Sequence, residues 1–228
     1  MSTASAWSVA LNGIEGAMVE VEVAEGGGLP RTVLVGLPDA ALSQAKERVR
    51  AAVTGAELPW PNGLVTINLS PANLPKTETH YDLAIATAAL AAIDKVPKEA
   101  ARNHVCLGEL GLDGRLRRVP GILPALLAAV RSGFDKAIVP ASQEAEASLV
   151  PGVTVWAIGH LKDLVAVLNG EPPLGGWEPP GDDDVASRQR PPLDFREVRG
   201  HLEGRWVMEV AAAGRHHVFL HGAPGPCP

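Results

Sequence analysis

Aromatic side chains are scarce in this 228-residue chain, at 4%, so its interior cannot be built around large rings. Hydrophobic content of 46%, mostly Ala, Val and Leu, predicts a core of small aliphatic groups between helices and a sheet. Cysteine is nearly absent. Cys106 and Cys227 stand far apart, which excludes a disulfide framework and a cysteine metal site. Basic charge is short as well: 20 Lys and Arg against 26 Asp and Glu give a formal net charge of −6. Non-specific affinity for nucleic acid comes mainly from neutralising phosphates, so a free-standing DNA-coating protein is excluded, though a local basic patch is not. No uninterrupted apolar run is long enough to span a bilayer, and the opening MSTASAWSVALNG lacks a basic segment followed by an apolar one. The expected location is the cytoplasm, with no membrane partner.

Proline and glycine are plentiful, and they concentrate. Residues 171–192, EPPLGGWEPPGDDDVASRQRPP, have no apolar period and read as a linker. The expected organisation is therefore one domain over residues 1–170, the linker, and a terminal stretch over 193–228 that is too short to fold alone. Within the domain the apolar period switches between two and about 3.6, the mark of mixed structure. Val19–Val23, Thr32–Val35 and Leu64–Leu69 read as strands. Asp39 is placed as the N-cap of a helix with Leu42, Ala45, Val49, Ala52 and Val53 on its apolar face and Lys46, Glu47 and Arg50 on the other. Residues Tyr81 to Ala92 are almost wholly apolar and predict a buried helix. Val105–Leu110 and Leu116–Val119 predict a hairpin turning at Asp113-Gly114. A helix over Ile122–Ser132, strands over Ala137–Val139 and Val153–Ile158, and a helix over Leu161–Leu168 close the domain. A short strand over His217–Leu220 is predicted in the terminal stretch. The fold class is α+β, an α/β-type mixed sheet.

Four stretches together carry a family resemblance: VGLPDAALSQAKERVRAAV (residues 35–53), TINLSPANLPK (66–76), YDLAIA (81–86) and LGELGLDGRLRRVPGILP (107–124). In this order they resemble the amino-terminal domain of the YifB/ComM group of magnesium-chelatase-like AAA+ ATPases, and the likeness covers essentially the whole chain. It implies a Lon protease-like (ChlI-type) proteolytic-domain fold, of the superfamily named after the second domain of ribosomal small-subunit protein five. The linker and the start of an ATPase module follow, and Asp194-Phe195, Val198-Arg199-Gly200 and Ala211-Ala212-Ala213-Gly214 stand in the order such a module opens. For the full-length family the resemblance implies ATP and Mg²⁺ as cofactors and ATP hydrolysis as the activity. It further implies a homo-oligomeric, hexameric ring acting on DNA, with ComM-like members tied to branch migration during natural transformation.

The phosphate loop G-x-x-x-x-G-K-[ST] needs a second glycine, a Lys for the β- and γ-phosphates and a hydroxyl for Mg²⁺. Gly222, Ala223, Pro224 and Gly225 supply only its opening. The second glycine falls on Cys227 and the Lys on Pro228. The expectation is a fragment, truncated or frame-shifted, that binds no nucleotide and needs no cofactor of its own. A Lon peptidase uses Ser activated by Lys. The resemblance places His80 at the Ser position and Leu123 at the Lys position, so the domain is expected to be catalytically silent. A displaced Ser70–Lys76 pair would make it a serine peptidase, and a stand-alone protein or DNA interaction module is the other alternative; Ser70, ahead of Pro71, reads more simply as a turn residue.

Other polar residues have plain readings. His80 and Asp82 at a helix start read as capping and dipole chemistry. His216, His217 and His221 on a strand would point to opposite faces, which suits no metal. Asp182-Asp183-Asp184 reads as a solvated charge block. Lys76, Arg115, Arg117 and Arg118 form the candidate basic contact for nucleic acid or a neighbouring subunit, against the reading of a hairpin edge guarded by charge.

Overall fold

The computed structural model describes residues 2–35, 40–71, 79–176, 194, 198 and 200–221, without the side chains of 40–43 and 79. The chain divides into two compact units, Met1–Gly181 and Asp182–Pro228. The first opens with β1 (Ser2–Asn12), β2 (Glu15–Gly26) and β3 (Arg31–Val35), then α1 (Ala40–Gly55), β4 (Leu64–Ser70) and α2 (Asp82–Ala92). It continues with α3 (Lys98–Arg102), β5 (Val105–Cys106), β6 (Glu109–Leu110), β7 (Leu116–Arg117), α4 (Ile122–Arg131) and β8 (Lys136–Pro140). It closes with α5 (Glu144–Ala147), β9 (Thr154–Ile158) and α6 (Leu161–Leu168).

Seven strands form one mixed sheet in the order β3-β4-β2-β1-β5-β8-β9, while β6 and β7 pair apart from it. β1 and β2 run antiparallel from Ser2↔Glu25 to Asn12↔Glu15, through a turn in which Gly13 takes the left-handed φ of 62°. β1, β5, β8 and β9 are mutually parallel neighbours, as are β3 and β4.

Alternation along β1 separates two cores. Ala4, Ala6 and Ala10 face a large core with Val19, Val21, Val23, Ile67 and the inner residues of α1, α2 and α6. Val9, with Trp7 and Leu11 beside it, faces a smaller core built by α4, Val105, Ala137 and Val139. Every residue of α2 is buried, as expected of a helix apolar all round. A cleft of about 360 Å³ is lined by residues of β1, β2, β4 and α3, among them Thr3, Ser5, Glu22, Asn68, Lys98 and Arg102.

Besides the short helices α3 and α5, which the sequence reading does not contain, the elements differ from it in three places. β1 was not predicted, because Ala and Ser carry little strand preference of their own; the strand exists because both of its neighbours pair with it. Val105–Leu110 is not one hairpin arm: Val105–Cys106 enters the main sheet between β1 and β8, and only Glu109–Leu110 turns back onto β7. His217–Leu220 forms no strand and is exposed, since an extended segment becomes a strand only by finding a partner. In the second unit α7 (Leu202–Gly214) exposes Leu202, Trp206, Val207 and Val210 and buries Ala211. Among the described residues no helix is long and apolar enough to cross a membrane.

Candidate functional site: a buried ion pair and an anchored hairpin

Asp82 opens α2 but caps nothing; α2 has no side-chain cap. Its carboxylate instead reaches α1, where Arg48 Nε donates to Oδ2 at 2.6 Å and Nη2 to Oδ1 at 2.9 Å. Leu110 of β6 donates its backbone N–H to Oδ2 at 3.1 Å. Asp82 is fully buried, whereas the Arg48 side chain is half-buried and keeps one edge in water. Burial is the larger influence on Asp82 and pushes its carboxyl up to about 6, against the pull of Arg48 and of the Leu110 amide. For Arg48 the bond to Asp82 dominates and holds the guanidinium above its ordinary range. The capping expectation for Asp82 is therefore corrected: the carboxylate joins α1, α2 and the β6–β7 hairpin.

The hairpin is held from three further sides, always by its backbone. Its turn needs Gly114 at φ 85°, where a Cβ would stand 2.7 Å from the Ala56 Cβ. His160, the N-cap of α6, accepts at Nδ1 from Lys162 N–H, so Nε2 carries the proton and donates to the Asp113 carbonyl at 3.0 Å. Leu116 N–H donates to Gly159 O, and Leu161 N–H to Gly114 O, both at 2.9 Å. Gln143, also buried, bonds both polar groups of Val119, accepting from N–H and donating to O at 2.8 Å each.

On this frame Arg115, Arg117 and Arg118 are all exposed. Arg115 Nε pairs with Asp113 at 2.8 Å, and Arg117 lies opposite Glu109 in the strand register. The hairpin thus carries two acidic residues against its three arginines, a weaker basic surface than the sequence suggests. Lys76, and the loop residues Gly222, Ala223, Pro224 and Gly225, lie outside the described residues, as do Cys227 and the Asp182–Asp184 run.

The peptidase positions are apart in character. His80 is buried, and its carbonyl accepts from Ser8 Oγ and Gly108 N–H, each at 3.4 Å. Leu123 is half-buried on α4 and packs on the smaller core. Ser70 is exposed at the end of β4. Cys106 is fully buried beside Thr87, and desolvation pushes its thiol up to about 12, far from a usable thiolate. Among the described residues no group of three or more His, Cys, Asp or Glu is placed to hold a metal.

The sequence reading missed Arg48, Gln143, His160 and Asp163. Arg48 carried a faint signal, standing three residues after Ala45 and so at the border of the apolar face. His160 and Asp163 stand at the N-cap and in the first turn of α6, a local signal, but their bonds to Asp113, Leu174 and Gly175, like those of Gln143 to Val119, join backbone groups eleven or more residues away.

A seven-stranded mixed sheet with helices on both faces and a polar framework around one hairpin defines an α/β domain joined to a second unit. Residues 19–143 match the family described as subunit ChlI of Mg-chelatase, and residues 194–227 match magnesium chelatase, subunit ChlI. The chain belongs to this magnesium-chelatase family and, within it, is YifB/ComM-like. It is 46% identical over 225 residues to the uncharacterized protein Rv2897c of Mycobacterium tuberculosis, covering 99% of this chain and 44% of that protein. It is 36% identical over 227 residues to competence protein ComM of Haemophilus influenzae, again 99% and 44%. With the uncharacterized protein YifB of Escherichia coli it shares 37% over 213 residues, 93% of this chain and 41% of the other. The chain thus spans less than half the length of these relatives.

Proposed function

We propose that residues 1–170 are a non-catalytic, Lon protease-like module of a magnesium-chelatase-like AAA+ ATPase, followed by a linker over 171–192 and the start of the ATPase module over 193–228. The module serves assembly and substrate engagement, and surfaces do the work. The observation that carries this reading is the use of the buried polar side chains. Asp82, Gln143, His160 and Asp163 all bond backbone N–H or C=O groups of the chain itself and fix loops. A reactive centre would leave such groups directed at a space where substrate could sit. Leu123, at the position matching the peptidase Lys, can neither take nor give a proton. In the complete protein the reading extends to ATP and Mg²⁺ at the ATPase module, a homo-oligomeric ring and DNA as the substrate; the competence role named for the ComM relative supports the DNA assignment.

Two measurements on the purified chain test it. Mixed with a full-length family member, it should enter that protein's oligomer, seen by light scattering as a shift in assembly mass. Incubated with an unstructured protein, it should release no peptide. Cleavage that Ser70→Ala abolishes would replace this reading with that of a peptidase.

A further inference from the structure

Residues 171–176 read as free linker in the sequence, yet the structure ties them down. Gly170, at φ 82°, ends α6 and turns the chain back, with Glu171 N–H bonded to Ala166 O at 2.9 Å. Leu174 N–H then donates to Asp163 Oδ1 at 2.9 Å and Gly175 N–H to the same oxygen at 3.3 Å. Asp163 is buried in the first turn of α6, and its Oδ2 accepts from Gly159 N–H at 3.3 Å. One carboxylate therefore joins two segments through charge-assisted bonds, which are stronger than neutral ones.

The second segment is the one that holds the hairpin. The Gly159 carbonyl receives Leu116 N–H, and the next residue, His160, donates to the Asp113 carbonyl. Gly159 is thus bonded through its N–H to the strap anchor and through its C=O to β7. The sequence of contacts runs from Leu174 and Gly175, through Asp163 and Gly159, to Leu116 and Asp113.

We propose that Asp163 anchors residues 171–176 as a strap and couples that strap to the hairpin, so that displacing the strap loosens the hairpin while α2 keeps its packing. The coupling itself is a property of the first unit and is tested without nucleotide, so its failure is separable from failure of the ATPase reading.

Amide hydrogen exchange on the whole chain at one fixed pH decides it. Asp163→Asn should lower protection of the Leu174 and Gly175 amides about tenfold, the scale of one lost charged hydrogen bond, and lower that of Leu116 and Leu161 by about threefold or more. The amides of Ile85 to Leu90 in α2 should not change. Leu174→Pro deletes one strap donor at an exposed position and leaves Asp163 in place; it should have the same pattern at Gly175, Leu116 and Leu161, and it serves alone if Asp163→Asn does not fold. Loss of protection in the strap with the hairpin unchanged would overturn the coupling. An unchanged strap would overturn the anchor, and α2 amides falling in step with the hairpin would show general destabilisation in place of the device.

Discussion

The Arg48 guanidinium grips the Asp82 carboxylate with two bonds, at 2.6 and 2.9 Å, across the junction of α1 and α2. The same carboxylate receives the Leu110 amide, so three elements far apart in sequence meet on two oxygens. Removing one member of such a pair leaves the other charge without compensation, which costs about 3–5 kcal/mol.

Asp82→Ala should therefore lower unfolding stability by about that amount in urea titration. The double variant Arg48→Met with Asp82→Leu should recover part of the loss, because an apolar pair of similar volume needs no desolvation, while the Leu110 N–H still lacks its acceptor. If the double variant is as unstable as the sum of the single ones, the pair does not act as a unit.

Acid should reveal Asp82 and His104 as opposing groups. Folded Asp82 holds its proton up to about 6, above the ordinary 3.8 of the unfolded chain, so its stabilising contribution is full below about 3.8 and is lost as pH rises through 6. Burial lowers His104 below its ordinary 6.5, so its contribution is full above 6.5 and is lost as pH falls through the lowered folded value. Stability curves from pH 4 to 7 should show wild type gaining on Asp82→Asn as pH falls, by on the order of 2–3 kcal/mol. His104→Gln should show the reverse dependence. A parallel pair of curves for wild type and Asp82→Asn would refute the raised carboxyl.

Cys106 should resist iodoacetamide in the folded chain at pH 8 and react only on unfolding, read by mass spectrometry of its peptide. With the folded thiol pushed up to about 12 from 9, its contribution is full below about 9 and declines as pH rises toward 12. Rapid labelling of the native protein would contradict the burial on which this rests.

Gln143→Ala should cost about 1–3 kcal/mol, since the Val119 N–H and carbonyl would both lose their partner inside the protein. Gln143→Glu keeps the acceptor and loses the donor, so thermal melting should place it between wild type and alanine. Equal melting temperatures for all three would mean that water serves Val119 as well.

Much of the fold was legible because it obeys local rules. The alternation of Val19, Val21 and Val23 and the spacing of Ala45, Val49, Ala52 and Val53 each place apolar groups on one face, whatever lies opposite. The all-apolar run ahead of Ala92 could only be buried, and the Asp113-Gly114 turn follows from glycine's freedom at positive φ. β1 was hidden because its small residues announce no strand, and the split of Val105–Leu110 was hidden because a two-residue parallel strand is specified by its neighbours alone.

By itself the order of residues determined the alternating and helical faces, the material of the core, the family likeness and the leucine at residue 123 that can carry no proton. Only the tertiary structure decided that Asp82 would pair with Arg48 in place of capping α2, that the hairpin arginines would lie among their own acids, and that Asp163 would hold a strap. The reason is physical: a periodic pattern needs just the next turn or the next residue to be read, whereas a buried polar group is defined by whichever donor the folded chain brings to it from dozens of residues away.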